Sequence, residues 1–186
     1  MNNGNHRVFL AINFSEEIKN KFSQFQKEWV GLPVRLTKKK NLHLTLLFIG
    51  NIDTEEIFNF CRTAQKTTSQ HEAFEIRFNK ICFGPVNKKP RMIWALGEKN
   101  KYLSFLKNDL EKSFFNLNEN KIDNKGFCPH ITLARINRKE WGKMENKAEI
   151  DKNISISFLA DSIEVMESVL LKTGPEYSVL ESILLK

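Results

Sequence analysis

Two stretches, Leu42-His43-Leu44-Thr45-Leu46-Leu47-Phe48-Ile49 and His130-Ile131-Thr132-Leu133-Ala134-Arg135-Ile136, decide how this chain folds. Both are apolar runs of strand length. The first is bounded by a basic turn at Lys38-Lys39-Lys40-Asn41 and by Gly50. Each contains His-aliphatic-Thr-Leu. On a strand, side chains alternate between faces, so His43 and Thr45 project together while Leu44 and Leu46 point into the core, and His130 with Thr132 does the same against Ile131 and Leu133. The chain has eight threonines and four histidines, His6, His43, His71 and His130. A threonine two places after two of the four has a chance probability of roughly one in a hundred, so the repeat is treated as real.

Outward from these runs the elements fall into a repeated order. Arg7 to Asn13 reads as a strand, and Ser15-Glu16-Glu17 as the capped, acidic start of a helix with Ile18, Phe22, Phe25 and Trp29 at helical spacing, ended by Gly31 and Pro33. Val34 to Thr37 is a short strand ahead of the first motif. Asp53 caps a second helix running to about Ser69, and Phe74 to Phe78 alternates, with Arg91 to Leu96 as its hairpin partner across Gly84-Pro85. Leu103, Leu106, Leu110 and Phe114 form a helical stripe, Asn116 to Lys125 a polar loop, and the second motif follows. Arg138 to Lys152 reads as loop with one helical turn, and Ile154–Phe158, Ser162–Leu171 and Tyr177–Leu184 as closing strands. Strand, helix, apolar strand thus occurs twice, which predicts an α+β fold of two similar lobes within one domain spanning residues 1–186.

Composition narrows the classes. With 186 residues, 41% hydrophobic and 27% charged, the chain can bury a core and is neither collagenous nor disordered. A formal charge of +7 favours polyanionic partners. Cys61, Cys82 and Cys128 are odd in number, far apart and show no CxxC spacing, which argues against a disulfide framework or a four-ligand zinc site and for a reducing compartment. Val8 to Ile12 is too short for a signal-peptide core, and no stretch approaches the roughly 20 apolar residues of a membrane span. A cytoplasmic protein without membrane contact is expected.

The paired motifs carry the chemistry. Imidazoles with ordinary pKa values near about 6.5 suit a reaction in which one proton is removed and another delivered at neutral pH. Two hydroxyls can hold phosphate oxygens between them. That combination points to acid and base catalysis on a phosphodiester. A metal is not expected, since no HExxH or similar ligand spacing occurs. Cys128, close to His130, has no companion for cysteine-based catalysis. His6 and His71, in polar settings without a threonine partner, read as surface residues.

Here the sequence resembles the bacterial and archaeal RNA 2′,3′-cyclic phosphodiesterases, long labelled 2′-5′ RNA ligases, of the two-histidine phosphoesterase superfamily. The resemblance runs through Arg7-Val8-Phe9-Leu10-Ala11-Ile12, Asn41 to Leu46 with Phe48 to Gly50, Pro90-Arg91-Met92-Ile93-Trp94, Phe127 to Arg135, and Ser168-Val169-Leu170 with Gly174 and Tyr177. It implies a bilobal fold of two antiparallel-rich β-sheets flanked by helices, with a central cleft, a pseudo-two-fold repeat and no cofactor. It implies His130 as the base that activates water, His43 as the acid that protonates the departing 3′ oxygen, and Thr45 and Thr132 as phosphate ligands. The implied substrate is RNA ending in a 2′,3′-cyclic phosphate, with tRNA fragments and small cyclic nucleotides in the same class. The implied product is a 2′-phosphomonoester and the implied state a monomer. Leu36 stands where a tryptophan is common in the family.

Two further residues are candidate substrate contacts. The resemblance places Arg135 on phosphate or terminal base, yet strict alternation puts it on the face opposite His130, so that role requires the strand to end or bulge near Ala134. Phe9 lies on the face opposite Val8, Leu10 and Ile12 and is a candidate for stacking a base, with core packing the alternative. Lys38 to Lys40 read either as steering for RNA or as a solvated turn. The rival functions are 2′-5′ RNA ligation by the same steps in reverse, hydrolysis of small cyclic nucleotides, and a non-catalytic RNA- or nucleotide-binding module.

Overall fold

The computed structural model describes residues 5–86, 88–115, 127–145, 148–172 and 174–186. The polar loop expected at Asn116 to Lys125 lies outside these residues. Nine strands and four α-helices follow in the order β1 (His6–Ile12), α1 (Glu16–Gln26), β2 (Val34–Leu36), β3 (Leu44–Ile52), α2 (Thr54–Thr68), β4 (Phe74–Gly84), β5 (Met92–Gly97), α3 (Lys101–Phe115), β6 (His130–Ile136), α4 (Arg138–Lys143), β7 (Asp151–Ala160), β8 (Ser162–Leu171) and β9 (Gly174–Leu184), among the described residues.

The strands lie in the order β7-β4-β5-β6-β3-β1-β8-β9, with β2 on the flank of β6. Every pairing is antiparallel. This order is a palindrome: β3-β1-β8-β9 mirrors β6-β5-β4-β7. In each half, two neighbouring strands are joined through a helix, β1–α1–β3 and β5–α3–β6, which is the repeat legible in the sequence. The two expected sheets meet edge to edge where β3 faces β6, through one registered pair, Leu44 with Ile131.

Local chemistry sets the helix starts. The Ser15 hydroxyl accepts from the Ile18 N–H at 3.3 Å. Asp53 and Glu56 form a reciprocal capping box with both bonds at 2.8 Å. Ile18 and Phe22 turn inward from α1, and Phe22 meets Phe78 of β4 edge-on at 5.3 Å. One hydrophobic cluster, from Val8, Leu10 and Leu44 to Ile93, Leu106 and Ile131, runs beneath both halves. β4 extends well past the alternating segment to Gly84, and the charged stretch from Arg138 contains α4, capped by Asn137 and pinned by buried Trp141.

Two irregularities in the ladders matter for the cleft. Against β1, Ala11 pairs with Thr45 and Leu10 with Leu47, so Leu46 is an extra residue in β3. Against β5, Trp94 pairs with Thr132 and Ile93 with Ala134, so Leu133 is the extra residue in β6. Each bulge puts two successive residues into the core, Leu46-Leu47 and Leu133-Ala134, and reverses the alternation beyond it. Arg135 therefore emerges on the same face as His130 and Thr132, the condition its substrate role required. No helix among the described residues is long and apolar enough to cross a membrane.

Candidate active site

The two histidines are held in the same way. The Nδ1–H of His43 donates to the carbonyl of Asn41 at 2.8 Å, and the Nδ1–H of His130 to the carbonyl of Cys128 at 2.9 Å. A carbonyl can only accept, so each bond fixes the tautomer and leaves Nε2 as the atom available for proton transfer. In both cases the carbonyl belongs to the residue two before the histidine, where the chain turns into the strand. Repetition of a motif has become repetition of a geometry.

Thr45 and Thr132 share the cleft-facing side of their strands with the histidines but are engaged differently. The Thr45 hydroxyl lies 2.9 Å from His43 Nε2. The Thr132 hydroxyl points at the Met92 sulfur, 3.8 Å away, and Arg135 Nη1 approaches the same sulfur at 3.7 Å. Both Thr132 and Arg135 line a cavity of about 80 Å³ with Arg35, Lys38, Asn41 and Tyr177.

Aromatic rings brace both imidazoles. Trp94 stacks on His130 with centroids 3.8 Å apart and planes 25° from parallel. Phe9 and Tyr177 each sit 5.1 Å from His43, Tyr177 edge-on. The Phe9 ring reaches the cleft face, yet it is 2% exposed, covered by His43, Phe48 and Tyr177. A ring enclosed in this way orients His43 and offers no free face; the exposed ring beside it is Phe48, at 65%. Room for Trp94 comes from Gly84, across the β4–β5 ladder, where a Cβ would fall inside the indole. Trp94, Tyr177 and Gly84 escaped the sequence reading as site residues, because which face a β5 or β9 residue occupies depends on register with distant strands.

Burial lowers the pKa of both histidines. For His43 the bond to Asn41 opposes the shift, while the charges of Lys19 and His130 add to it; for His130 the bond to Cys128 opposes it. Burial pushes the Cys128 thiol up, so it carries little thiolate at neutral pH.

Among the described residues no three His, Cys, Asp or Glu side chains converge on a point where a metal would bind. His6 and His71 are not free surface residues: His6 Nδ1 pairs with Glu167 at 2.6 Å, and His71 Nε2 lies 3.2 Å from Asp109. Of the basic turn, Lys39 pairs with Glu16 at 2.7 Å, and Lys38 and Lys40 both approach Glu176, at 3.7 and 3.3 Å.

Comparison with known proteins agrees with this geometry. A family model described as LigT-like phosphoesterase matches residues 12–94. An RNA 2′,3′-cyclic phosphodiesterase of Methanocaldococcus jannaschii is 30% identical over 183 residues, covering 94% of this chain and 98% of that protein. A crystal structure of a Thermus thermophilus protein superposes with a TM-score of 0.81 at 25% identity, covering 96% of this chain and 97% of that one. The E. coli LigT structure complexed with 3′-AMP superposes with a TM-score of 0.77 at 20% identity, over 98% and 99% of the two chains, and shares the fold. From a repeated motif, a mirrored sheet order and a relative aligned almost end to end, it follows that the chain belongs to the family of LigT-like phosphoesterases, which includes the RNA 2′,3′-cyclic phosphodiesterases.

Proposed function

We propose that the protein opens 2′,3′-cyclic phosphate ends of RNA by metal-independent hydrolysis, leaving a 2′-phosphomonoester and a free 3′ hydroxyl. The observation that carries this reading is the matched anchoring of His43 and His130 through Nδ1, which makes both Nε2 atoms available for proton transfer at one cleft. His130 Nε2 takes a proton from water as its oxygen attacks phosphorus. The bond from phosphorus to the 3′ oxygen breaks, and that oxygen takes the proton of His43 Nε2. Thr45 and Thr132 hold the non-bridging oxygens. Trp94 and Phe9 keep the two rings from turning.

Burial favours the neutral imidazole at both positions, whereas the acid role of His43 needs the protonated one. The phosphate anion, arriving beside Nε2, supplies the opposite charge that favours this form. The relatives support the substrate class: the Methanocaldococcus protein is named an RNA 2′,3′-cyclic phosphodiesterase, and E. coli LigT has been crystallised with 3′-AMP.

The test is to incubate the purified protein, with EDTA present, with an oligoribonucleotide ending in a 2′,3′-cyclic phosphate and to map the product end by phosphorus NMR. A 2′-phosphate formed at an undiminished rate is expected. A dominant 3′-phosphate would exchange the roles of the two histidines, and activity lost to EDTA would replace the mechanism with a metal-assisted one.

A further inference from the structure

The cavity beside Thr132 contains a charge arrangement that the hydrolytic step does not use. Arg35 of β2 is registered directly opposite Arg135 of β6. Both line the cavity, and Lys38 adds a third cation to its wall. Like charges directly opposite on an antiparallel pair are destabilising. Among the described residues neither arginine has a carboxylate within ion-pair distance, and the polar contact of the Arg135 guanidinium is the weak approach to Met92. Lys38 alone of the three has an acidic neighbour, Glu176 at 3.7 Å.

A second, independent observation points to a ligand here. Asn41 is 4% exposed and lines the same cavity; its Nδ2 donates to the Pro175 carbonyl at 2.8 Å, while its buried Oδ1 has no partner. A buried acceptor left unsatisfied is unfavourable unless a donor arrives. The cavity, about 80 Å³, has room for several waters and so for a phosphate group. An anion that brings hydroxyl donors with it matches both features, and a sugar-phosphate unit is such a ligand.

We propose that Arg35 and Arg135 clamp the internucleotide phosphate immediately 5′ of the cyclic end, so that the protein binds an RNA chain and not only its last nucleotide. This rests on the reading under Proposed function, which places the cyclic phosphate between the histidines and the two threonines. Thr132 and Arg135 project from one face of β6 because of the Leu133 bulge, so a strand whose terminal phosphate sits at Thr132 extends its preceding phosphate along that face toward the β2–β6 pair. Two planar guanidiniums suit bidentate contact with phosphate oxygens.

The experiment compares a nucleoside 2′,3′-cyclic phosphate with a dinucleotide ending in the same group, using the wild type, Arg35→Met and Arg35→Lys. Arg35 is exposed, so these changes leave the core intact. The ratio of kcat/KM for dinucleotide over mononucleotide is expected to fall roughly 10- to 100-fold in Arg35→Met, with Arg35→Lys between, as for loss of a hydrogen bond to a charged group. The salt dependence of the dinucleotide reaction should become shallower by about 0.7 in logarithmic slope, one phosphate contact's worth on a single strand. An unchanged ratio, whether both substrates suffer equally or neither does, would overturn the proposal. Calorimetry with a dinucleotide bearing a terminal 2′-phosphate and with a nucleoside 2′-phosphate gives a readout independent of hydrolysis. Tighter dinucleotide binding that Arg35→Met removes supports the clamp even if no cyclic phosphate is opened; equal binding of the two by the wild type overturns it.

Discussion

Phe48 and Arg135 are structural counterparts. Each follows its histidine at the same spacing, each emerges on the cleft face beyond a bulge, and each is paired with a cleft-facing residue of the neighbouring strand, Phe9 for Phe48 and Met92 for Arg135. One half of the cleft thus presents an exposed ring and the other a guanidinium. Deleting Leu133 would remove the bulge and restore strict alternation with Arg135 still on the cleft face, so it should cost one buried side chain and leave the charge in solvent. The deletion and Leu133→Ala, which keeps the count, are each expected to cost about 2–5 kcal/mol and to retain a folded chain. Circular dichroism during thermal melting checks both, and loss of cooperative unfolding in the deletion alone would show that the bulge itself is required for the fold.

His43→Ala and His130→Ala should each lower kcat/KM by roughly 10² to 10⁴, the contribution of a positioned general acid or base. Both imidazoles are half-buried and neither fills the interior, so both variants should stay folded. The double variant is expected to lose little more than either single one, because acid and base act in one step. Rates near wild type for either single variant would remove that histidine from the mechanism.

Gly84→Ala should be destabilising by about 1–3 kcal/mol, because the added methyl overlaps the Trp94 indole and the surrounding strands leave it little room. Since Trp94 stacks on His130, kcat should fall as well. Combining Gly84→Ala with Trp94→Phe tests the cause. A smaller ring makes space for the methyl, so the double variant is expected to be more stable than the sum of the single effects predicts. Simple additivity would mean that the glycine serves some other purpose.

The pH profile of kcat/KM should be bell-shaped with its maximum on the acid side of 6.5, the ordinary histidine value, since burial lowers both groups in the free enzyme. Stability follows the same sign. With folded-state values below the unfolded ones, the unfolded chain binds more protons as pH falls below about 6.5, so stability is full above that pH and is lost on descending toward the lowered values. Denaturant melts across this window, repeated on His43→Gln and His130→Gln, should show a weaker loss in each variant. A maximum well above 7 would contradict the burial argument.

Much of this was legible in the sequence where local chemistry decides the outcome. Ser15 and Asp53 cap the helices they precede, and the two His-x-Thr runs form the inner strands of the two halves. What stayed hidden depends on register. Trp94 and Tyr177 read as ordinary strand residues, and only the pairing of β5 with β6 and of β8 with β9 brings them to the histidines. His6 and His71 looked unpartnered because Glu167 and Asp109 are distant along the chain. Yet one long-range feature left a local mark. Leu46-Leu47 and Leu133-Ala134 break the alternation with adjacent apolar residues, and such a break inside an otherwise alternating run is a readable signature of a bulge.

β3 and β6 meet directly at a single registered pair, Leu44 with Ile131, one residue from each histidine, and β2 completes the join by pairing with β6 through Val34, Arg35 and Leu36. Beside the histidines themselves the ladder is thus short, and the spacing between the proposed acid and base is held largely by the hydrophobic interior that runs under both halves. Catalytic alignment becomes a mechanical property of the interior as a whole, transmitted through side chains such as Phe22 and Leu106 that never approach a nucleotide. Loosening that interior would detune the reaction at temperatures where the chain is still folded, so loss of activity on heating would precede loss of structure.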